Sequence, residues 1–468
     1  MTAFSTSLPS NREKNETGKR WQRVLAAVLL IAAVAEFSVR GPLRSMHQLG
    51  WNDFLFPYIQ AKAWARGQDA YSSRSIISFW PSQIARPLWV DSDVASGTLE
   101  RKRGIPTPYP PTSFVVLAPF SALPWLPAEW IWIAINSVAV ALMPFALLSL
   151  CNCHFRELRA LWFLAAAFAL APLHTGLATE NPAMLAVSLT VYAVWAAHSD
   201  RRLLAGVLLA VALCLKPTVA AGLLLYYVIR REWKIAGTAA LIAAAAGLIA
   251  VLRFELAGVP WLASYRENAS RIFAAGSLAD FTNADRVRFN MIHAQVFFAT
   301  FIRSATAVNL LARSLGAALV AAWVWLCLRS RGASALLEIG AISVASLIPF
   351  YHRFYDAALL LWPLAWALLG VRRRIAVGTL LMMAPFLVPG PALLGDLAAS
   401  GRIPPRIVSS WWWNTIVLSH EAWILICLAL LLLYWIGRAS EDSMILGFAL
   451  EGNEGTRAKV GGASRDRT

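Results

Sequence analysis

The chain alternates apolar blocks with short polar breaks along its whole length. The blocks fall at 22–39, 129–150, 158–173, 182–198, 203–229, 235–253, 307–328, 334–350, 355–371, 375–390 and 412–437. Many approach the roughly 20 residues that cross a bilayer as a helix. The two-residue alternation of a membrane β-barrel is missing. The pattern predicts an all-α polytopic membrane protein with about 10–12 transmembrane helices. The tails 1–20 and 438–468 are polar and are expected to be disordered and cytoplasmic. Between them, 21–437 reads as one membrane-embedded domain with long outer loops at 41–110 and 254–305.

Two segments depart from this rhythm. The stretch 112–127 holds Pro119, Pro124 and Pro127 and is short for a span, so it is expected to be interfacial or re-entrant. The block 203–229 is interrupted by Lys216-Pro217. Proline removes a helical N–H and clashes with the preceding turn, so two shorter arms should meet there. A lysine at that depth is costly unless it meets a partner or water.

Charge orients the blocks. Basic residues gather at Arg156/Arg159, Arg201/Arg202, Arg230/Arg231/Lys234, Arg329/Arg331, Arg372/Arg373/Arg374 and Arg438, as in cytoplasmic loops. The first block follows a tail carrying Arg12, Lys14, Lys19, Arg20 and Arg23 and reads as a signal anchor rather than a cleaved leader. With the N-terminus cytoplasmic, Asp53, Glu180, Lys216 and the segment Tyr351-His352-Arg353-Phe354-Tyr355-Asp356 all fall on the outer side.

Composition agrees. Of 468 residues 58% are hydrophobic and 15% charged, against about a quarter charged in soluble domains. The net charge of +16 sits largely in the loop clusters, which argues against nucleic acid. Five cysteines give no disulfide framework, and Cys151-Asn152-Cys153-His154 lacks a second ligand pair, so it reads as a helix end. Nothing in the chain calls for a metal or cofactor. Walker, dinucleotide Gly, His-Glu-x-x-His and Gly-x-Ser-x-Gly motifs are missing. Asn268-Ala269-Ser270 is read as a chance sequon.

The outer-side polar residues carry the candidate chemistry. Asp53, flanked by Trp51, Phe54 and Phe56, is a loop carboxylate, the cap of an interfacial helix running from Phe54 to Arg66, or a general base for an acceptor hydroxyl. His352, Arg353 and Asp356 are either an interfacial belt or a phosphate site, with Arg as forked donor and His as second donor or proton carrier. Lys216 is a lysine that snorkels or pairs with a carboxylate, or a point charge for a phosphate. Glu180-Asn181-Pro182 is a helix cap or the lining of a sugar pocket. Tyr109-Pro110-Pro111 is a rigid entry into the following segment or a wall beside a lipid headgroup.

These residues resemble glycosyltransferase family 87, polyprenyl-phosphate-mannose-dependent α-(1→2)-mannosyltransferase-like proteins of the glycosyltransferase C superfamily. The resemblance runs through Asp53-Phe54, Tyr58, Gly67-Gln68-Asp69-Ala70-Tyr71, Tyr109-Pro110-Pro111, Glu180-Asn181-Pro182, Leu215-Lys216-Pro217 and His352-Arg353-Phe354-Tyr355-Asp356, over roughly residues 45–370. Thr179-Glu180 stands where the family usually has Gly-Gln, and Ala70 where proline is common. The resemblance implies an inverting hexosyl transfer, mannosyl by default, from a polyprenyl-phosphate sugar to an extracytoplasmic glycan or glycolipid in a multi-pass cell-membrane enzyme. It implies Asp53 as base with His352 as a second catalytic group. Lys216, Arg353 and His352 would hold the donor phosphate, and Glu180, Asn181, Tyr58, Tyr109 and Asp356 would line the sugar and acceptor pocket. Asp91-Ser92-Asp93, a pattern that holds metal and nucleotide sugar in soluble transferases, falls in an outer loop and reads as loop polarity. The rival classes are a transporter or flippase of lipid-linked sugars, which should show matching broken helices in its two halves, and a family member that binds the lipid-linked sugar without transferring it.

Overall fold

The computed structural model describes residues 11–47, 49–50, 52–86, 109–274, 277–282, 286–329, 333–370 and 373–438. These residues are overwhelmingly helical, and among them the one β-type pairing is the isolated antiparallel bridge of Met291 with Arg353. Trp51, Arg331, Arg372 and Asp91-Ser92-Asp93 lie outside the described residues.

Five helices are long and apolar enough to cross a membrane: Arg20–His47, Trp125–Leu150, Trp233–Leu256, Ala305–Arg329 and His420–Arg438. Two bent pairs raise the number to seven, Leu158–Ala169 with Ala171–Ala178 (42°) and Ala376–Leu387 with Gly390–Ala399 (45°). The protein is an all-α polytopic membrane protein. Six shorter apolar helices fill in the bundle, so length alone accounts for five to seven of the expected spans. Proline explains much of the breakage, since the second member of each bent pair carries a proline in its first two positions, where its missing N–H is harmless.

The first helix begins at Asn11, inside the stretch 1–20 expected to be disordered. Arg12, Glu13, Lys14, Glu16 and Lys19 are good helix formers. Adding turns to an existing helix needs no new nucleus, so the helix of the apolar block extends backwards through them.

The proline-rich segment forms the helix Pro111–Ser121. At 1.5 Å per residue its 11 residues reach about 16 Å, too short to span. It packs against Leu55–Ala65 and Trp233–Leu256. The block 203–229 divides, as expected, into Arg202–Leu215 and Pro217–Ile229, with Lys216 extended between them and Pro217 opening the second arm. Arg202–Leu215 approaches Trp233–Leu256 closely at Gly206, where an added Cβ would come within 2.5 Å of the Thr238 side chain. Small residues permit such close backbone contact between membrane helices. At its far end Pro217–Ile229 delivers Arg230 to the fully buried Glu338, which it pairs through its guanidinium. Lys216 therefore sits roughly 20 Å from that ion pair, at the opposite end of one 13-residue helix.

An aromatic cluster anchors the start of Leu55–Ala65. Phe54 stacks on Trp132 with centroids 4.4 Å apart and rings 5° from parallel, and packs on Trp125 at 5.7 Å. Such pairs add about 0.5–1.5 kcal/mol beyond area burial. Burying Phe54 turns its neighbour Asp53 toward the helix ends described next.

Candidate active site

Four chain breaks meet at one end of the bundle: the turn 52–54, the break 179–182, the break at Lys216 and the loop 351–356. At the first, Asn52 Oδ1 accepts from the backbone N–H of Phe54 and of Leu55, both at 3.1 Å. Asn52 thus satisfies the orphan donors of the helix, and Asp53 is not its cap. The half-buried Asp53 is held by its backbone N–H, which donates to the Thr179 carbonyl at 2.9 Å. Its Oδ2 accepts from Asn181 Nδ2 at 2.8 Å. Its Oδ1 has no hydrogen-bond partner among the described residues.

The break 179–182 is built by a C-terminal helix motif. Glu180 N–H donates to Leu177 O at 3.0 Å and Asn181 N–H to Gly176 O at 3.1 Å, with Glu180 at φ +56°. This is the Schellman pattern, which places a left-handed residue, usually glycine, just past the helix. A glutamate there carries strain that the surroundings must hold. The motif presents Asn181 to three partners. Its Oδ1 accepts from Ala183 N–H at 2.9 Å and so caps the next helix, while Nδ2 donates to Asp53 and, at 2.8 Å, to Tyr355 Oη. The amide orientation follows from these partners.

Glu180, expected to line the sugar pocket, sets its carboxyl against Ser45. It is 2% exposed, Oε1 accepts from Ser45 at 2.7 Å, and Oε2 has no partner. Burial pushes its carboxyl up to about 8, with the charges of Glu129 and Asp53 adding to the shift and the Ser45 bond opposing it. Glu180 is therefore largely neutral at pH 7.

The third and fourth breaks are tied by Asp356. Its Oδ1 lies 2.5 Å from Lys216 Nζ, and its Oδ2 accepts from His352 Nδ1 at 3.0 Å and from Arg353 N–H at 3.2 Å. Asp356 is 1% exposed and serves as the buried counter-ion of Lys216 and a hydrogen-bond partner of His352. Lys216 also lies over the Tyr355 ring, 5.0 Å from its centroid. His352 is fully buried, and its Nε2 has no hydrogen-bond partner among the described residues. Arg353 keeps partial exposure, donates through Nε to Tyr351 Oη at 2.5 Å and through Nη2 to Leu278 O at 3.2 Å. The outer segment pins this loop, since Ile292 N–H donates to His352 O and Ala294 N–H to Ile348 O, each at 3.0 Å.

Tyr109 joins from another side, its hydroxyl donating to the Asp53 main-chain carbonyl at 3.3 Å. Burial, and then the charges of Asp53, Tyr351 and Asp356, push its phenol well above the ordinary range, so it acts as a donor. Tyr58 is not brought in. It is 1% exposed, packs on Trp125, and its hydroxyl donates to Leu123 O at 2.7 Å. It faces the core because Phe54 and Tyr58, four residues apart, share one face of the helix start.

Three participants escaped sequence reasoning. Glu129 Oε1 accepts from Gly50 N–H at 2.8 Å and from Asn52 Nδ2 at 2.7 Å, clamping the turn before Asp53. Ser45 holds Glu180. Asn52 was legible as an Asx residue ahead of a helix, and Glu129 as a lone carboxylate in an apolar block, a signal that deserved a functional reading. The Ser45 hydroxyl carried no sequence signal.

Among the described residues the assembled site offers one unpaired carboxylate oxygen, a buried imidazole nitrogen, a partly exposed guanidinium and an anchored lysine. Among the described residues no group of His, Cys, Asp and Glu has the makings of a metal site. No curated protein and no solved structure shows significant similarity to the chain. The family model described as glycosyltransferase family 87 matches residues 107–350, just over half of the chain. The matched stretch contains Tyr109, Glu129, Glu180, Asn181 and Lys216; Asp53 lies before it and His352 two residues beyond it. The chain belongs to glycosyltransferase family 87 and is a membrane glycosyltransferase.

Proposed function

We propose that the protein transfers a hexose, mannose by the family's default, from a polyprenyl-phosphate sugar to an extracytoplasmic glycan or glycolipid. The anomeric configuration inverts in one displacement. Asp53 Oδ1 takes the proton of the acceptor hydroxyl as that oxygen attacks the anomeric carbon. The bond from that carbon to the phosphate oxygen breaks on the opposite face, and the polyprenyl phosphate leaves with the electron pair. A phosphate leaves carrying its charge, so a general acid is less needed than in glycoside hydrolysis. Cations do that work instead: Arg353 as a forked donor, Lys216 as a point charge, and His352 Nε2 as a further donor when protonated.

One observation carries this reading. Asp53 is held by Asn181, which also holds Tyr355, whose ring lies under the Lys216 ammonium. A carboxylate with one free oxygen and a set of cations are thus joined by one shared amide, as an acceptor base and a leaving-group site need to be. The charge pattern of the loops favours an outer-leaflet site in the cell membrane, with a cytoplasmic N-terminus. The test is Asp53→Asn, purified and assayed for transfer of labelled mannose from polyprenyl-phosphate-mannose to membrane acceptors. Turnover near that of the unmodified protein sinks the mechanism.

A further inference from the structure

The segment 254–305, read from sequence as a loop, contains an amphipathic helix, Trp261–Ile272. At about 100° per residue, Trp261, Ser264, Tyr265, Asn268 and Ile272 share one face. That face packs on protein. The Trp261 ring stacks on Phe254, with centroids 5.8 Å apart and rings 11° from parallel. Ser264 Oγ donates to Asp69 Oδ2 at 2.5 Å, Tyr265 packs on Tyr71 at 5.1 Å, and Asn268 and Ile272 are buried. Beside that face, Leu262, Arg266, Ala269 and Phe273 fall within about 60° of arc. All four are exposed, Leu262 at 42% and Phe273 at 51%. The remaining sector is polar, with Ser270 and a Glu267–Arg271 ion pair.

The helix starts where a span ends. The apolar run 235–252 rises about 27 Å, close to the ~30 Å of bilayer hydrocarbon, so Arg253 marks its edge. The stack of Trp261 on Phe254 keeps the new helix level with the last turn of Trp233–Leu256. Leu252 and Leu256 are exposed on those same last turns, Leu256 at 84%. Arg266 stands inside the apolar stripe with no ion-pair or hydrogen-bond partner among the described residues. A second copy of the chain would have to bring an acid to that point, whereas every phospholipid headgroup supplies a phosphate. The long stem of an arginine reaches it while the neighbouring apolar side chains stay among acyl chains.

We infer that Trp261–Ile272 is an interfacial helix docked on the phospholipid surface beside the end of Trp233–Leu256. Leu262, Ala269 and Phe273 enter the acyl boundary, Arg266 contacts headgroup phosphate, and Ser270 faces water. The contact is separate from the chemistry proposed for Asp53, although it braces the same region. Tyr71, on the packed face, donates to the Tyr109 carbonyl at 2.8 Å, and Tyr109 in turn bonds the Asp53 carbonyl. Phe273 meets Tyr351, the partner of Arg353, edge-on at 6.1 Å.

The test maps depth on the full chain in phosphatidylglycerol–phosphatidylcholine nanodiscs and reads no turnover. Leu262→Cys, Arg266→Cys, Ala269→Cys, Ser270→Cys and Phe273→Cys are each labelled with an environment-sensitive fluorophore. The native cysteines, four buried and Cys427 half-buried, stay in place, and the unsubstituted chain gives the background. Quenchers are a nitroxide high on the acyl chain, a nitroxide on the headgroup, and aqueous iodide. Labels at 262, 269 and 273 should lose emission to the acyl-chain nitroxide and be spared by iodide. The label at 270 should show the reverse, and the label at 266 should lose most to the headgroup nitroxide. Ala269→Cys removes almost nothing, so it keeps the result readable if Phe273→Cys disturbs Tyr351. Iodide quenching at 262 and 269 as strong as at 270 overturns the inference. Protection from all three quenchers there, the mark of a second copy over the stripe, overturns it as well. Deeper quenching at 266 than at 262 overturns the phosphate contact.

Discussion

Asn181→Asp is the sharpest probe of the shared amide. The variant changes one NH₂ to an oxygen. The remaining carboxylate oxygen still accepts from Ala183 N–H, so the helix cap survives. What changes is the contact with Asp53. A donor at 2.8 Å, whose bond to a charged acceptor is worth about 1.5–3 kcal/mol, becomes a second carboxylate. Two unit charges with centres about 4 Å apart repel by about 4 kcal/mol at the effective dielectric of a partly exposed site. At 1.36 kcal/mol per unit, that raises one titration of the pair by roughly three pH units. The pair therefore keeps a proton through the neutral range, and the Asp53 oxygen that should accept the substrate proton is blocked for much of the time. In a transfer assay with labelled polyprenyl-phosphate-mannose, kcat should fall about twofold at pH 7 and about tenfold at pH 6, with KM for the donor little changed. The acid limb of the kcat profile should move upward by two to three pH units, so raising the pH to 9 should recover most of the activity. Unaltered kcat and an unmoved acid limb between pH 5 and 8 would refute both the base and its coupling to Asn181.

Other expectations follow from the same network. Lys216→Gln strands the buried Asp356 charge and should cost about 3–5 kcal/mol; Asp356→Asn on top should recover most of that stability without recovering donor KM. A double variant that restores donor KM would remove Lys216 from the phosphate site. Glu180 has a folded pKa raised to about 8 against 4.5, so the folded protein holds a proton that the unfolded chain has released between those values. Stability should then fall as pH rises from about 4.5 to 8, by at most about 5 kcal/mol. Glu180→Gln should flatten a plot of Tm against pH over that window, and a persisting slope would contradict the buried neutral acid. Tyr58→Phe should lose about 1 kcal/mol with its Leu123 bond and leave turnover intact. Gly206→Leu forces a side chain into Thr238 and should lower stability by about 1–3 kcal/mol, read as reduced Tm in detergent.

Much of this protein follows from local rules. Helix in lipid satisfies its own backbone, so apolar block length and proline position predicted the membrane helices, the short Pro111–Ser121 segment and the break at Lys216-Pro217. Loop charge grouped Asp53, Glu180, Lys216 and the 351–356 segment, because basic clusters constrain which helix ends lie together. Direction, partner and protonation needed the folded chain. By sequence Asp53 and the stretch Glu180-Asn181-Pro182 were both plausible caps. Asn52 took the first role and Asn181 the second, because hydrogen-bond geometry, not residue type, chooses between adjacent side chains. Burial beside Lys216 made Asp356 its counter-ion, a pairing across 140 residues that sequence spacing does not show. Glu129 acts across 79 residues of sequence, on the backbone of Gly50. Sequence determined which residues lipid and helix ends could hold. Only tertiary packing decided which of them touch, because those contacts depend on the angles at four chain breaks that no local pattern encodes.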